Sequence, residues 1–159
     1  MNTSLSLRIR ERIAAILIVN AVPFLNHFRP EDSGWRKPLE ELRRYPSNTW
    51  GFQTAEFLKR HSFHVFLPKY ELHDAMHVLL GYEVSAADEL RLQAFMVGNR
   101  NASFAGKVLV ILGAFLLPET LPTLHKEFKR GRSSPSLRKW PVQELLNRPL
   151  IELQNKLST

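Results

Sequence analysis

The stretch YELHDAMHVLLGY, residues 70–82, has the apolar content of a helix made for burial, with Met76, Val78, Leu79 and Leu80 crowded into its second half. Yet His73, Asp74 and His77 stand in the middle of it. Imidazole and carboxylate groups lose hydration on burial, so a core helix admits them only where they gain partners. Residues four apart share one helical face. His73 and His77 therefore project the same way, together with Met76 and Leu80, into the apolar side. Asp74 lies about 100° further round, and it either reaches the same centre or flanks it.

Gly81 is a residue that ends helices readily in a left-handed conformation. The connection that follows, 82–84, is short, and helices joined in this way usually pack side by side and antiparallel. His77 falls in the last turn of one helix. Glu89 falls in the first turns of the next, with Leu92, Gln93 and Met96 on its face. The spacing thus aims two imidazoles and one or two carboxylates at a common point.

A divalent metal would compensate for the lost water, because it bonds directly to neutral imidazole and ionised carboxylate. Histidines at i and i+4 with a distant carboxylate suit four-coordinate zinc with an open position, and equally a two-His-one-carboxylate Fe(II) site. Spacing does not choose between the metals, nor does it say whether Asp74 is a ligand or orients an imidazole by hydrogen bond. The competing reading is a pair of hydrogen-bonded core histidines. His27, His61, His64 and His125 have no comparable partners in sequence and are expected on the surface or in packing roles.

The remaining punctuation is proline and glycine, and the segments between have helical length and spacing. Helices are expected over 5–21, after Pro38, and through NTWGFQTAEFLKRH with Ser47 or Asn48 as cap. Others are expected over 69–80, from Ser85 to about Val97 with Asp88 as a weak capping box, and from Asn101 or Ser103 to Leu117. Further helical segments cover about 122–130, 141–147 and 149–157. SFHVFL, residues 62–67, is the one short strand candidate. The expected architecture is all-α: a single compact domain over 1–159 with roughly seven to nine helices.

The 159 residues suffice to enclose a core, and a hydrophobic share of 44% with a charged share of 23% is ordinary for a soluble globular chain. With no cysteine there are neither disulfides nor thiolate metal sites, so any metal here is held by nitrogen and oxygen. The net charge of +7 is uneven. HKEFKRGRSSPSLRK, residues 125–139, sets Lys126, Lys129, Arg130, Arg132, Arg138 and Lys139 against Glu127 alone. Such a cluster suits phosphate groups, or else is a solvated helix end. No signature of nucleic-acid recognition accompanies it, and nucleic acid is not expected as a partner. The apolar runs at 13–19 and 108–117 fall short of the ~20 residues that span a bilayer, so they read as core helices that still admit a peripheral membrane contact. The opening segment lacks a convincing targeting signal. The location expected is cytoplasmic, or peripheral on the inner side of a membrane.

His73-Asp74-x-x-His77, then eleven residues, then Glu89, resembles the HDxxH-x11-E motif of the coenzyme Q biosynthesis protein 4 family. SNTWGFQTAEFL before it, HVLLGYEVSAADELRLQAF after it, and the distal KRGRSS and WPVQELLNRPLIELQNKL also resemble that family. The likeness covers about 44–157 and is weakest over the N-terminal helices of 1–43. The chain departs at Asp88, where the family commonly has glycine. The resemblance implies an all-α fold and a divalent metal, zinc first and Fe(II) second, at His73, Asp74, His77 and Glu89, which would also be the catalytic groups. It implies a polyprenylated aromatic quinone precursor as ligand, and quinone-pathway enzymes as partners at a membrane. The reaction it implies is oxidative decarboxylation with hydroxylation of a polyprenyl hydroxybenzoate-type ring. A tail groove lined by 108–117 and 13–19 is expected, and a homodimer is admitted. A non-catalytic lipid-binding scaffold for the pathway's enzymes is the alternative, and an HD-type phosphohydrolase, read from the His73-Asp74 pair, is the third.

Overall fold

Side-chain caps set several of the helix starts. Thr49 accepts a hydrogen bond from the Phe52 amide, Ser85 from Asp88 and Ser103 from Gly106, each satisfying a first-turn N–H that the helix itself leaves unpaired. The computed structural model describes residues 38–62 and 71–158, together with positions 9, 10, 12, 13 and 16, which are helical. Through 38–158 run α1 (Leu39–Leu42), α2 (Trp50–Arg60), α3 (Glu71–Leu80), α4 (Ala86–Gly98), α5 (Phe104–Leu116), α6 (Leu121–Ser133), α7 (Val142–Leu145) and α8 (Leu150–Leu157). Short 3-10 turns occupy Pro118–Thr120 and Leu137–Lys139. The fold is all-α: among the described residues β-pairing is limited to an isolated antiparallel bridge between Thr49 and Pro149. Most of the first expected helix and of the strand candidate lies outside the described residues. The cap of α2 is Thr49 rather than Ser47 or Asn48, because the helix starts at Trp50 and the Thr49 side chain is the one that meets the Phe52 amide.

Chain contacts divide the described residues into two compact units, and the chain passes from one to the other between Glu83 and Val84 and again between Ser136 and Leu137.

In the unit built on Val84–Ser136, α4, α5 and α6 close around Leu90, Ala94, Leu109, Leu117 and Leu124, with Val110 and Leu116 packed against them. Each buried leucine contributes roughly 1.5–3 kcal/mol relative to exposure. Helices α4 and α6 approach so closely that a Cβ on Gly98 would strike the Phe128 carbonyl, and one on Gly131 the Phe95 carbonyl. Asn99 closes this contact by donating through Nδ2 to the carbonyls of Gly131 (3.1 Å) and Pro135 (3.0 Å). Glu127, buried on α6, takes Arg130 at 3.0 Å and Arg91 of α4 at 3.4 Å. Pro118 ends α5, and the chain bends by 109° into the segment that carries α6.

In the other unit, α2 and α3 pack with α1, α7 and α8. Its interior holds Leu42, Trp50, Leu58, Met76, Leu79, Leu146 and Leu153. The first amides of α2 are met by the C-terminal segment: Trp50 N–H donates to Arg148 O at 2.9 Å and Gly51 N–H to Leu146 O at 2.8 Å. Gly51 is needed there, since a Cβ would lie 2.9 Å from the Tyr45 ring and 3.0 Å from that same Leu146 oxygen.

Candidate metal centre

Helix α3 carries the histidine pair and ends as its sequence foretells. Gly81 takes a φ of +75°, the left-handed conformation that glycine adopts at no steric cost. The Tyr82 amide then reaches back to His77 O at 2.9 Å and the Gly81 amide to Val78 O at 3.3 Å. These two bonds make a Schellman closure, and His77 is the residue whose carbonyl anchors it. The backbone at His77 is thereby held rather than frayed, although it lies in the last turn.

The i, i+4 spacing brings the two imidazoles together, with His73 and His77 ring centroids 4.8 Å apart and nearly perpendicular at 74°. His77 is 3% exposed and stacks on Phe57 of α2 at 5.8 Å. His73 is half-buried, and its Nδ1 lies 3.5 Å from Asp74 Oδ1. Asp74 thus stands beside His73 rather than apart from the pair. A carboxylate in that position favours one orientation of the neighbouring ring.

Sequence reasoning missed the partner of His61. Its Nε2 lies 2.8 Å from Glu83 Oε2, and Arg60 donates to the other oxygen of the same carboxylate at 3.0 Å. His61 is expected on the surface or in a packing role, and it is partly exposed and packs against the Phe57 ring; its charged partner lies 22 residues away, brought near by the packing of α2 against α3. No spacing rule links positions on separate elements in this way. His125 is exposed, as expected; His27 and His64 lie outside the described residues. A cavity of about 340 Å³ opens between these elements. Its walls are Gln53, Glu56, Phe57 and Arg60 of α2, His77 and Val78 of α3, and Gly81, Tyr82 and Glu83 beyond it. One face of the His77 environment therefore adjoins open space with carboxylate, amide and guanidinium groups around it.

Glu89 occupies the first turn of α4 in the other unit and is 8% exposed. Near a helix N-terminus the unpaired amides and the macrodipole favour a negative charge. Gln93, one turn on, donates through Nε2 to Glu89 Oε1 at 2.8 Å. Asp88, the departure from the family pattern, is engaged locally: its Oδ2 accepts from the Ser85 hydroxyl at 3.1 Å and its Oδ1 from Arg91 at 2.9 Å.

These features define the class. It is an all-α protein whose α3 presents a buried-side imidazole pair with an adjoining carboxylate, nitrogen and oxygen donors of the kind that zinc or Fe(II) accepts. The chain is 26% identical over 141 residues to the ubiquinone biosynthesis protein COQ4 homolog 2, mitochondrial, of Paramecium tetraurelia, a match spanning 75% of this chain and 67% of that one. A crystal structure from Nostoc punctiforme, of a protein inferred to serve ubiquinone biosynthesis, superposes with a TM-score of 0.59 at 18% identity. That superposition covers 96% of this chain and 81% of the other, and it establishes a shared fold. No family model matches the chain. The Paramecium relative agrees with the resemblance to the coenzyme Q biosynthesis protein 4 family, and the Nostoc structure agrees with the all-α fold.

Proposed function

We propose that this chain is a metalloprotein of ubiquinone biosynthesis that holds a divalent metal through His73, His77 and Glu89. Zinc is the first choice and Fe(II) the second. The observation that carries the reading is the paired imidazoles of α3, 4.8 Å apart with His77 buried. Asp74, at 3.5 Å from His73, then orients that ring. Glu89 enters the set because it follows His77 by twelve positions across a short connection and because its carboxylate is buried at the start of α4. The relatedness to a ubiquinone biosynthesis protein supports the pathway.

The substrate proposed is a polyprenylated aromatic quinone precursor, and the reaction is oxidative removal of the ring carboxylate with hydroxylation at that carbon: the ring-to-carboxylate bond breaks with release of carbon dioxide, a carbon–oxygen bond forms in its place, and the two electrons pass to dioxygen as co-substrate. A bound metal would supply Lewis acidity to orient and polarise the ring's carboxylate and phenol oxygens. The protein's own part is to place the imidazoles, hold the His77 ring against Phe57, and offer a carboxylate to move a proton. Metal analysis of the parent chain and of a folded His77→Ala variant tests the reading. Near-stoichiometric zinc or iron in the parent and little in the variant is expected. No metal in either, even after reconstitution with zinc and Fe(II), would overturn it.

A second reading, a lipid-binding scaffold for quinone-pathway enzymes at a membrane, is favoured by α5. Phe104 (74%), Ile111 (57%) and Phe115 (81%) are exposed along it, and Lys126, Lys129 and Arg132 are exposed on α6 of the same unit. An apolar face with cations nearby is the composition of a peripheral contact with anionic lipid. Among the described residues no single helix is long and apolar enough to cross a membrane.

A further inference from the structure

Gln93 is 9% exposed on α4, one helical turn beyond Glu89. A carboxylate oxygen only accepts, so the amide must turn its nitrogen toward Glu89, and it does so at 2.8 Å. A free glutamine side chain would sample many rotamers. This one is confined by α5, where Gly106 lies against the other end of the amide. A Cβ at Gly106 would collide with Gln93 Oε1 and come within 3.1 Å of its Cδ. Ser103, the cap of α5, accepts from the Gly106 amide at 3.1 Å and holds that turn in place. Two helices thus fix one side-chain amide, and the amide's donor end meets Glu89.

We infer that Gln93 is the positioning residue for Glu89, and that Gly106 is the wall that keeps its amide in line. The inference rests on the reading of Glu89 as a metal ligand. A hydrogen bond to one carboxylate oxygen restrains rotation of the group and so fixes the direction in which it offers its electrons. Partners that orient metal-binding carboxylates commonly govern metal affinity by about 10- to 100-fold. The chain's own departure from a simple apolar helix face at Gln93 has a purpose on this account, as does the absence of a side chain at Gly106.

The test is a double-mutant cycle read in zinc affinity, by competition with a chromophoric chelator, on the full chain as parent, Gln93→Leu, Gly106→Ala and the double variant. Helix content and thermal midpoint are followed in parallel. Gln93→Leu is expected to weaken zinc binding by about 10- to 100-fold with helix content unchanged. Gly106→Ala should weaken it in the same direction although alanine favours the helix over glycine, because its methyl group displaces the amide. The double variant should lose no more than Gln93→Leu alone, since both changes act through one hydrogen bond. A purely structural role would move the thermal midpoint and leave zinc affinity alone. Parent-like affinity in Gln93→Leu overturns the inference and leaves the metal reading standing. If Gln93→Leu does not fold, parent-like affinity in Gly106→Ala overturns it instead. If the parent takes up neither zinc nor Fe(II), the metal reading fails and this inference fails with it.

Discussion

The indole N–H of Trp50 donates to the main-chain carbonyl of Ala75 at 2.8 Å, in the interior of the unit that carries the histidine pair. Ala75 lies midway between His73 and His77, so a fully buried side chain of α2 is bonded to the turn of α3 from which both imidazoles project. The bond fixes rotation and height of α3 against α2. It also meets the polar end of a Trp that has no access to water, as buried indoles require.

Trp50→Phe removes the donor and leaves part of the indole volume empty. A loss of about 2 kcal/mol is expected from the missing hydrogen bond and the cavity together. Urea unfolding of the parent and variant measures it. An unchanged midpoint would show that the bond does not hold the two helices.

The glycines separate into two kinds. Ala at Gly98 or at Gly131 would place a methyl group on a backbone carbonyl of the facing helix, which cannot yield as a side chain does. Each is expected to cost about 3 kcal/mol. Gly81 has open space around it and a φ of +75°, so Gly81→Ala meets only the conformational penalty, about 1 kcal/mol. Equilibrium unfolding of the three variants should rank them in that order.

Glu152 on α8 lies 2.8 Å from Arg148 and 3.0 Å from Lys156. The hydrogen bond from Arg148, then that from Lys156, holds its carboxyl below the ordinary glutamate range. A carboxyl depressed in the folded chain contributes stability at pH above its unfolded value, and that contribution is lost as pH falls through the lower folded value. Carbon-detected NMR should place the Glu152 midpoint below that of an unpaired glutamate. Glu152→Gln and the parent should differ slightly in stability near neutral pH and converge in acid. The pair is exposed and salt-screened, so the difference should shrink in high salt.

Membrane contact by α5 has a direct readout. Flotation with vesicles rich in anionic lipid should carry the parent chain, and Phe115→Asp should reduce the bound fraction severalfold, because a charge in the apolar face opposes insertion. Neutral vesicles should bind less than anionic ones at low salt. Equal binding of parent and variant would remove α5 as the contact surface.

What could be read from the chain alone is what depends on near neighbours. The all-α class, the Gly81 stop, the Ser85 and Ser103 caps and the alignment of His73 with His77 all follow from interactions spanning a handful of residues, and the structure holds each of them. Tertiary packing decided the rest. The C-terminal segment, a hundred positions later, pairs through the Leu150 amide with the Asn48 carbonyl beside the start of α2. His61 found Glu83, and the acidic residue that interrupts the basic run, Glu127, proved to be buried between Arg91 and Arg130. Gly98 and Gly131, unremarked in the sequence, mark where two helix backbones touch. Such contacts join positions that no helical or turn periodicity relates. Their partners are selected by which faces the collapsed core brings together, and that selection exists only once the chain has folded.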